Sequence, residues 1–484
     1  MRTPLPDVRG LRRRSCPRCP LERSGFRHPL ARDARRHRPA RCRGARLPRL
    51  RTALAGICGS GQASEIDAVS EILLSICIPT YNRADFLDYL LKQAAASWSF
   101  PFAYEIVISD NASTDDTEAV VRRHADLGLP IRYFRQRENM GGGPNVLTVY
   151  HRAQGRYVIY LADDDLLIPE AITEALNFLR SNPEICALYA PWQLYDDIDK
   201  QSRGNFFEIG QDAVYGPGQE EDVFNLIVGR HIFPEIVIFR ADAARRILTW
   251  PRFCFYPFVF LADNLALGPI AFRRRPFYRS VLRSPVRPSR GQAGIDQAMT
   301  DWDNYRGGLE YFLHAMLRRR GATLKVESRP AVRDMMDGFI VERMRVAARL
   351  WIERGHYLNA YDLVCRLNLQ NPAYIQNIPG LDRLPLLVIM QKLAHFANTV
   401  GGIDRLDLVG VEQTEHLMPL LRHVGLEERI TLAASAAPPQ DAPRDSTILF
   451  IAREADRNTC LELGYLPNLV VSETELTATL YLPA

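Results

Sequence analysis

Three consecutive aspartates, Asp163, Asp164 and Asp165, follow the apolar run Tyr157 to Ala162 and stand just before Ile168-Pro169-Glu170, where a helix can start. Carboxylates set side by side repel one another, and a hard divalent cation that also holds a phosphate ligand is the usual compensation. The plain alternative is a polar turn between strand and helix, with an aspartate capping the helix. Two more polar clusters follow apolar runs: Thr80-Tyr81-Asn82-Arg83, after Ile72 to Ile78 and Pro79, and Asp110-Asn111, after Glu105 to Ser109. For Asp110-Asn111 the plain alternative is an Asx turn.

The elements that must position these groups alternate between strand and helix. Continuous apolar runs predict strands over Ile72–Ile78, Glu105–Ser109, Ile131–Arg135 and Tyr157–Ala162; apolar residues at helical spacing predict helices over Ala84–Ala96, Thr114–Ala125 and Pro144–Ala153. Repeated strand-helix units make a mainly parallel sheet covered by helices on both faces, and such sheets bind ligands at the carboxyl ends of their strands. Each polar cluster falls at such an end. Beyond Ala187 the strands are less regular, with Glu235–Arg240 the clearest, and helices dominate from about Gln297 to Val400, including a hairpin over Val341–Arg366 broken at Gly355. The tail returns to strand and helix as a small doubly wound α/β module. It offers only Gly410 after its first strand, too few glycines for a dinucleotide fingerprint, so a structural or partner-binding role is expected.

The domain boundaries expected from this pattern are 1–66, an Arg-rich leader; 67–296, the main sheet domain; 297–400, a helical region; and 401–484, the small module. The leader has no helical or strand period and reads as disorder; an equally plain account is that translation starts later. Residues 1–51 carry 17 arginines and three acids, which leaves the rest of the chain at a net −9 and argues against a nucleic-acid partner. Cys16, Cys19, Cys42 and Cys58 lack the second paired spacing of a zinc finger. Cys77 and Cys186 lie in apolar runs, which predicts reduced, buried thiols and a cytoplasmic location. No apolar stretch approaches the length of a membrane span.

Four motifs resemble the family 2 glycosyltransferases, enzymes of the GT-A fold with nucleotide-sugar donors: L-S-I-C-I-P-T-Y-N-R (Leu74 to Arg83), I-V-I-S-D-N-A-S-T-D-D-T (Ile106 to Thr117), E-N-M-G-G-G-P-N (Glu138 to Asn145) and Y-L-A-D-D-D (Tyr160 to Asp165). They occur in the family's order, within a stretch from about Leu73 to Arg283. The resemblance implies an inverting transfer of a sugar to a glycan or polyprenyl-diphosphate-linked acceptor, in surface polysaccharide or O-antigen assembly. It implies nucleotide-sugar contacts from Pro79, Thr80, Tyr81, Asn82, Arg83, Asp110, Asn111, Asn139, Gly141, Asn145, Asp163 and Asp164, and Mg²⁺ or Mn²⁺ held by Asp163 and Asp165. The cation neutralises the diphosphate as it leaves.

Inverting transfer also needs a base on the acceptor side. The family's acidic pair corresponds to Ala262-Asp263 here, with alanine in place of the usual glutamate, so Asp263 is the expected base; the alternative is a cap for a helix over Leu265–Ala271. Arg273, Arg274, Arg275, Arg279, Arg283, Arg287 and Arg290 read either as solvated charge or as a surface for a phosphate-rich partner, including the inner face of the plasma membrane. A reading from another class is a non-catalytic adaptor built on a decayed transferase domain, against which the intact aspartates speak. A nucleotidyltransferase would carry a Gly-rich phosphate loop after its first strand, where this chain has Pro79-Thr80-Tyr81-Asn82.

Overall fold

The first strand, β1 (Leu74–Thr80), has Leu74, Ile76, Cys77 and Ile78 wholly inaccessible to solvent, as a central strand covered on both faces requires. The computed structural model describes residues 72–249, 251–288, 299–325, 328–478 and 480–481. The leader, its four cysteines and Arg290 lie outside the described residues.

From β1 the chain alternates through α1 (Ala84–Ser97), β2 (Tyr104–Asp110), α2 (Thr117–Asp126), β3 (Ile131–Arg135), α3 (Gly142–Arg152) and β4 (Tyr157–Tyr160). In α1, Phe86, Leu87, Leu90, Leu91 and Ala94 form the buried stripe that docks the helix on the sheet. After β5 (Leu166–Leu167) and α4 (Pro169–Ser181) come β6 (Ala187–Tyr189), β7 (Gln193–Asp196), β8 (Gln201–Asn205), β9 (Ala213–Tyr215), α5 (Glu220–Arg230), β10 (Val237–Arg240), α6 (Ala241–Ala244), α7 (Tyr256–Leu267), β11 (Ile270–Phe272) and β12 (Tyr278–Arg283).

The main sheet has the order β3-β2-β1-β4-β10-β6-β11-β9. Strands β1 to β4, β6 and β11 run in one direction, while β10 and β9 oppose them, so the sheet is mainly parallel as expected. A smaller sheet, β5-β12-β7-β8, brings β12 beside the residues that follow β4. Where a helix over Leu265–Ala271 was the alternative, the structure ends α7 at Leu267 and starts a strand at Ile270. Gly268 is the reason: a Cβ there would lie 2.7 Å from Cys186 Sγ, so the chain turns tightly into β11.

The helical region comprises α8 (Trp302–Arg319), α9 (Arg329–Glu353), α10 (Tyr357–Gln370) and α11 (Leu384–Thr399). The α9-α10 hairpin turns at Gly355, whose φ of +76° is the left-handed conformation glycine takes without strain. In the tail, β13 (Arg405–Val409), α12 (Thr414–His423), β14 (Thr431–Ser435), β15 (Thr447–Ile451), α13 (Asp456–Glu462), β16 (Val470–Ser472) and α14 (Glu473–Ala478) form an all-parallel sheet of order β14-β13-β15-β16. One hydrophobic cluster extends from Leu74 through the helices to Leu469. No helix among the described residues is long and apolar enough to cross a membrane.

Candidate active site

The carboxyl ends of β1, β2 and β4 lie side by side, because Thr80 pairs with Asp110 and Cys77 with Tyr160 in parallel register. The polar clusters that follow these strands therefore meet at one edge. The Thr80 hydroxyl donates to Asp163 Oδ2 at 2.7 Å. Arg83 reaches across from the β1 turn, with Nε 3.3 Å from Asp163 Oδ1 and a terminal nitrogen paired to Asp164. Burial works against its charge, but the aspartates beside it outweigh burial and hold the guanidinium above its usual range. Arg83 also stacks over the Phe86 ring at 4.8 Å.

Asp165 turns the other way. Its Oδ2 accepts from the Tyr278 hydroxyl at 2.9 Å and its Oδ1 from the Val281 N–H at 2.8 Å, both on β12. The Tyr278 hydroxyl in turn accepts from the Ala162 N–H at 3.2 Å. Neither β12 group is signalled by local sequence, since each lies more than 110 positions downstream of Asp165.

Several residues expected to touch the donor also brace the scaffold. Asp110 is fully buried; it accepts from the Ser113 N–H at 2.9 Å and from the Tyr133 hydroxyl at 2.6 Å, which is the Asx-type turn. Asn111, 3% exposed, donates to Asn139 Oδ1 and accepts from the Met140 N–H; Asn139 Oδ1 also accepts from Gly141 N–H. Asn145, also 3% exposed, bonds Ser109 and the Thr80 carbonyl, fastening α3 to two strand ends. Asn82, at φ +52°, accepts from the Thr114 N–H at 2.7 Å, and its own N–H donates to Ser113 Oγ. Open to solvent at this edge are Tyr81, 40% exposed, Asn82, Asn139, Met140, and the backbone at Gly141 and Gly142. Gly141 opens α3 at φ +86°, a conformation that disfavours any side chain. Pro79 is partly buried within β1.

No group of three or more His, Cys, Asp or Glu among the described residues is arranged to hold a metal ion. A magnesium-type site needs only one or two carboxylates, with substrate phosphates and water completing the shell. Asp163 and Asp165 supply hard oxygen donors, and a carboxylate oxygen that accepts one hydrogen bond keeps a second lone pair. These residues fit such an ion.

Asp263 lies on α7, and its neighbour Asn264 donates to the hydroxyl of Tyr189, the last residue of β6, at 3.0 Å. Helix α7 starts beside the strand carboxyl ends, where burial and then Tyr256 raise the Tyr160 phenol, with all three aspartates adding to the shift. It runs toward the opposite edge, where β11 begins in register with the start of β6. Asp263 lies seven residues into the descent, about 10 Å along the axis. Its carboxylate is 3.8 Å from Arg319 of α8; burial raises its pKa and Arg319 opposes the rise.

The arginine run is paired within the fold. Arg273 meets Asp212 at 2.9 Å, Arg275 pairs with Glu174, Arg283 meets Asp196 and Asp199, and Arg287 meets Asp85 at 2.7 Å. Arg279 lies over the Tyr195 ring at 4.5 Å. These arginines are structural cross-links between segments, which favours the solvated-charge reading over a phosphate-binding surface.

The profile of glycosyl transferase family 2 matches residues 75–248. Abequosyltransferase RfbV of Salmonella typhimurium is 36% identical over 115 residues, 24% of this chain and 34% of that protein. The GalNAc(5)-diNAcBac-PP-undecaprenol beta-1,3-glucosyltransferase of Campylobacter jejuni is 34% identical over 105 residues, 22% of this chain and 33% of that protein. The chain thus spans about a third of the length of these two curated relatives. Among solved structures, S. aureus TarS 1-349 in complex with UDP-GlcNAc is a loose likeness, with a TM-score of 0.40 and 15% identity over 66% of this chain and 85% of that one.

Proposed function

We propose that this protein moves a sugar, with inversion, from a nucleotide-diphosphate sugar to a glycan or polyprenyl-diphosphate-linked acceptor in bacterial surface polysaccharide assembly at the cytoplasmic face of the membrane. The observation that carries the reading is the meeting of Thr80, Arg83 and Asp163–Asp165 at one sheet edge, with Tyr81 exposed beside them. The two relatives described above support the reaction class, one named for abequosyl transfer and the other for glucosyl transfer to an undecaprenol-linked glycan. An adaptor built on a decayed domain would have no reason to keep this set.

In this reading the exposed Tyr81 ring stacks on the nucleobase, and the Gly141–Gly142 backbone lets the ribose and phosphates approach closely. Arg83 sits where negative charge builds on the departing diphosphate, and its raised pKa keeps that charge fixed. Asp163 and Asp165 would hold Mg²⁺ or Mn²⁺, which when bound neutralises diphosphate oxygens and so stabilises the leaving group. Thr80, Tyr278 and the Val281 N–H orient the two carboxylates toward the edge.

The test is a thermal-shift screen of UDP, GDP, dTDP and CDP with and without Mn²⁺. One nucleotide should stabilise the protein only when Mn²⁺ is present, and Asp165→Asn should abolish that shift. Equal shifts with and without Mn²⁺, or an unchanged shift in Asp165→Asn, would remove the metal-diphosphate reading.

A further inference from the structure

The carboxyl edge of the sheet has a second half, across β4 from the donor turn, where α7 begins. The first turn of that helix, Tyr256-Pro257-Phe258, carries no acidic residue. The strand next to β4 supplies one instead. Because β10 runs antiparallel to β4, with Ile238 opposite Ile159 and Arg240 opposite Tyr157, the chain enters β10 at the edge from which β4 leaves. Glu235 stands two residues ahead of β10, in the turn that brings the chain into the strand at that edge.

Glu235 is partly buried and makes no hydrogen bond or ion pair with any described residue. Its surroundings are aromatic. Phe233, two residues earlier, packs on Tyr305 of α8 at 5.1 Å and on Phe255 at 6.0 Å. Burial, and after it the Glu235 charge, raise the phenols of both Tyr256 and Tyr305. Burial among these rings pushes Glu235 itself up to about 7. A carboxylate held without a partner in such surroundings costs stability, which is the usual mark of a group kept for chemistry.

We propose that Glu235 is the general base that takes the acceptor's proton. The proposal rests on the transferase reading above. With the nucleotide over β1 and its diphosphate at Asp163–Asp165, the acceptor hydroxyl must approach the sugar from the β10 side. Its oxygen forms a bond to the anomeric carbon while the bond from that carbon to the phosphate oxygen breaks, and the leaving nucleoside diphosphate keeps that electron pair. The hydroxyl proton passes to the Glu235 carboxylate and then to solvent. Tyr256 and Tyr305 shape the pocket and stay protonated throughout.

The experiment uses the full chain with Mn²⁺, a panel of UDP-, GDP-, dTDP- and CDP-linked hexoses, and farnesyl-diphosphate-linked N-acetylglucosamine as acceptor probe. Nucleoside diphosphate release, to the probe or to water, is the readout. Glu235→Gln should lower kcat by about 100-fold or more with the donor KM little changed, the ordinary contribution of a positioned base. The wild-type rate should rise with pH through neutrality as Glu235 loses its proton, and that limb should vanish in the variant. Retained Mn²⁺-dependent stabilisation by the matching nucleotide checks that Glu235→Gln folds, and Glu235→Asp should recover part of the rate. A Glu235→Gln enzyme within about threefold of wild type would overturn the assignment. So would loss of turnover in Asp263→Asn with Glu235→Gln still active. Wild-type protein that turns over no donor would instead overturn the transferase reading itself.

Discussion

Tyr278→Phe removes one oxygen atom and changes the shape of a buried side chain hardly at all, yet that oxygen makes two hydrogen bonds. It donates to Asp165 Oδ2 at 2.9 Å and accepts from the Ala162 N–H at 3.2 Å. The first bond ends on a carboxylate, a class worth about 1.5–3 kcal/mol, and loss of the second leaves a backbone donor short of a partner at a further 1–3 kcal/mol or so. The two losses share one atom and do not simply add, so about 2–3 kcal/mol is expected in all. Part of that should appear as weaker binding of the nucleoside diphosphate with Mn²⁺, because Asp165 then loses one of the bonds that orient it and keeps the Val281 N–H. A tenfold rise in Kd corresponds to about 1.4 kcal/mol. The assay is a double-mutant cycle of Tyr278→Phe and Asp165→Ala, read both in urea midpoints and in nucleotide Kd. A coupling of about 1–2 kcal/mol is expected. Burial first, and the Asp165 charge after it, push the Tyr278 phenol far above its ordinary value, so it remains a donor and the coupling should stay flat from about pH 6 to 9. Additivity within about 0.5 kcal/mol, or a coupling that fades toward alkaline pH, would refute the orienting role.

Two further predictions concern the frame that carries the site. A Cβ on Gly155 would lie 2.7 Å from the Ser75 N and 2.9 Å from the Leu74 carbonyl carbon, both backbone atoms of the central strand, so Gly155→Ala should cost about 1–3 kcal/mol in urea unfolding; an unchanged midpoint would mean the strand gives way without penalty. Burial would raise the Asp88 pKa, but hydrogen bonds from Lys92, His124 and Arg123 outweigh it and hold the group well below the ordinary carboxylate range. A depressed folded pKa gives stability that is complete above the unfolded value near pH 4 and is lost as pH falls toward the folded one, so Asp88→Asn should be less stable than wild type by about 1–2 kcal/mol at pH 7 and nearly equal to it in strong acid; a gap that persists in acid would contradict this.

The donor half of the sheet was legible because period and burial agree there. Strand β3 occupies the residues expected for it, and β1, β2 and β4 end within two residues of theirs, since a strand buried on both faces leaves a continuous apolar run in the sequence. Which polar groups remain available to a ligand was not legible. Asp110 and Asn145 belong to the right motifs, but the partners that occupy them, Tyr133 and the Thr80 carbonyl, are set by strand order and not by spacing. The arginine run misleads for the same reason: its acids, Asp212, Glu174, Asp196 and Asp85, are scattered along more than a hundred residues. Glu235 carried one faint signal, an acid following Phe233-Pro234 at the mouth of an apolar strand, where a residue that only continues the strand would be apolar.

The antiparallel β10 explains why the two halves of the site differ in legibility. A parallel strand delivers its last residues to the ligand edge, so the residues to search are those after the apolar run, as at Thr80, Asp110 and Asp163. An antiparallel strand inserted in such a sheet delivers its first residues there, and the residues to search are those before the run. Ahead of β10 they are Pro234 and Glu235, in the turn that enters the strand on the side where β4 exits. An acceptor-side acid just ahead of β10 sits at the mouth of a strand that ladder hydrogen bonds tie to β4, the strand after which the aspartates follow. An acid on α7 would depend on how that helix packs. Two carboxylates that must act on opposite sides of one anomeric carbon are better held by the first arrangement.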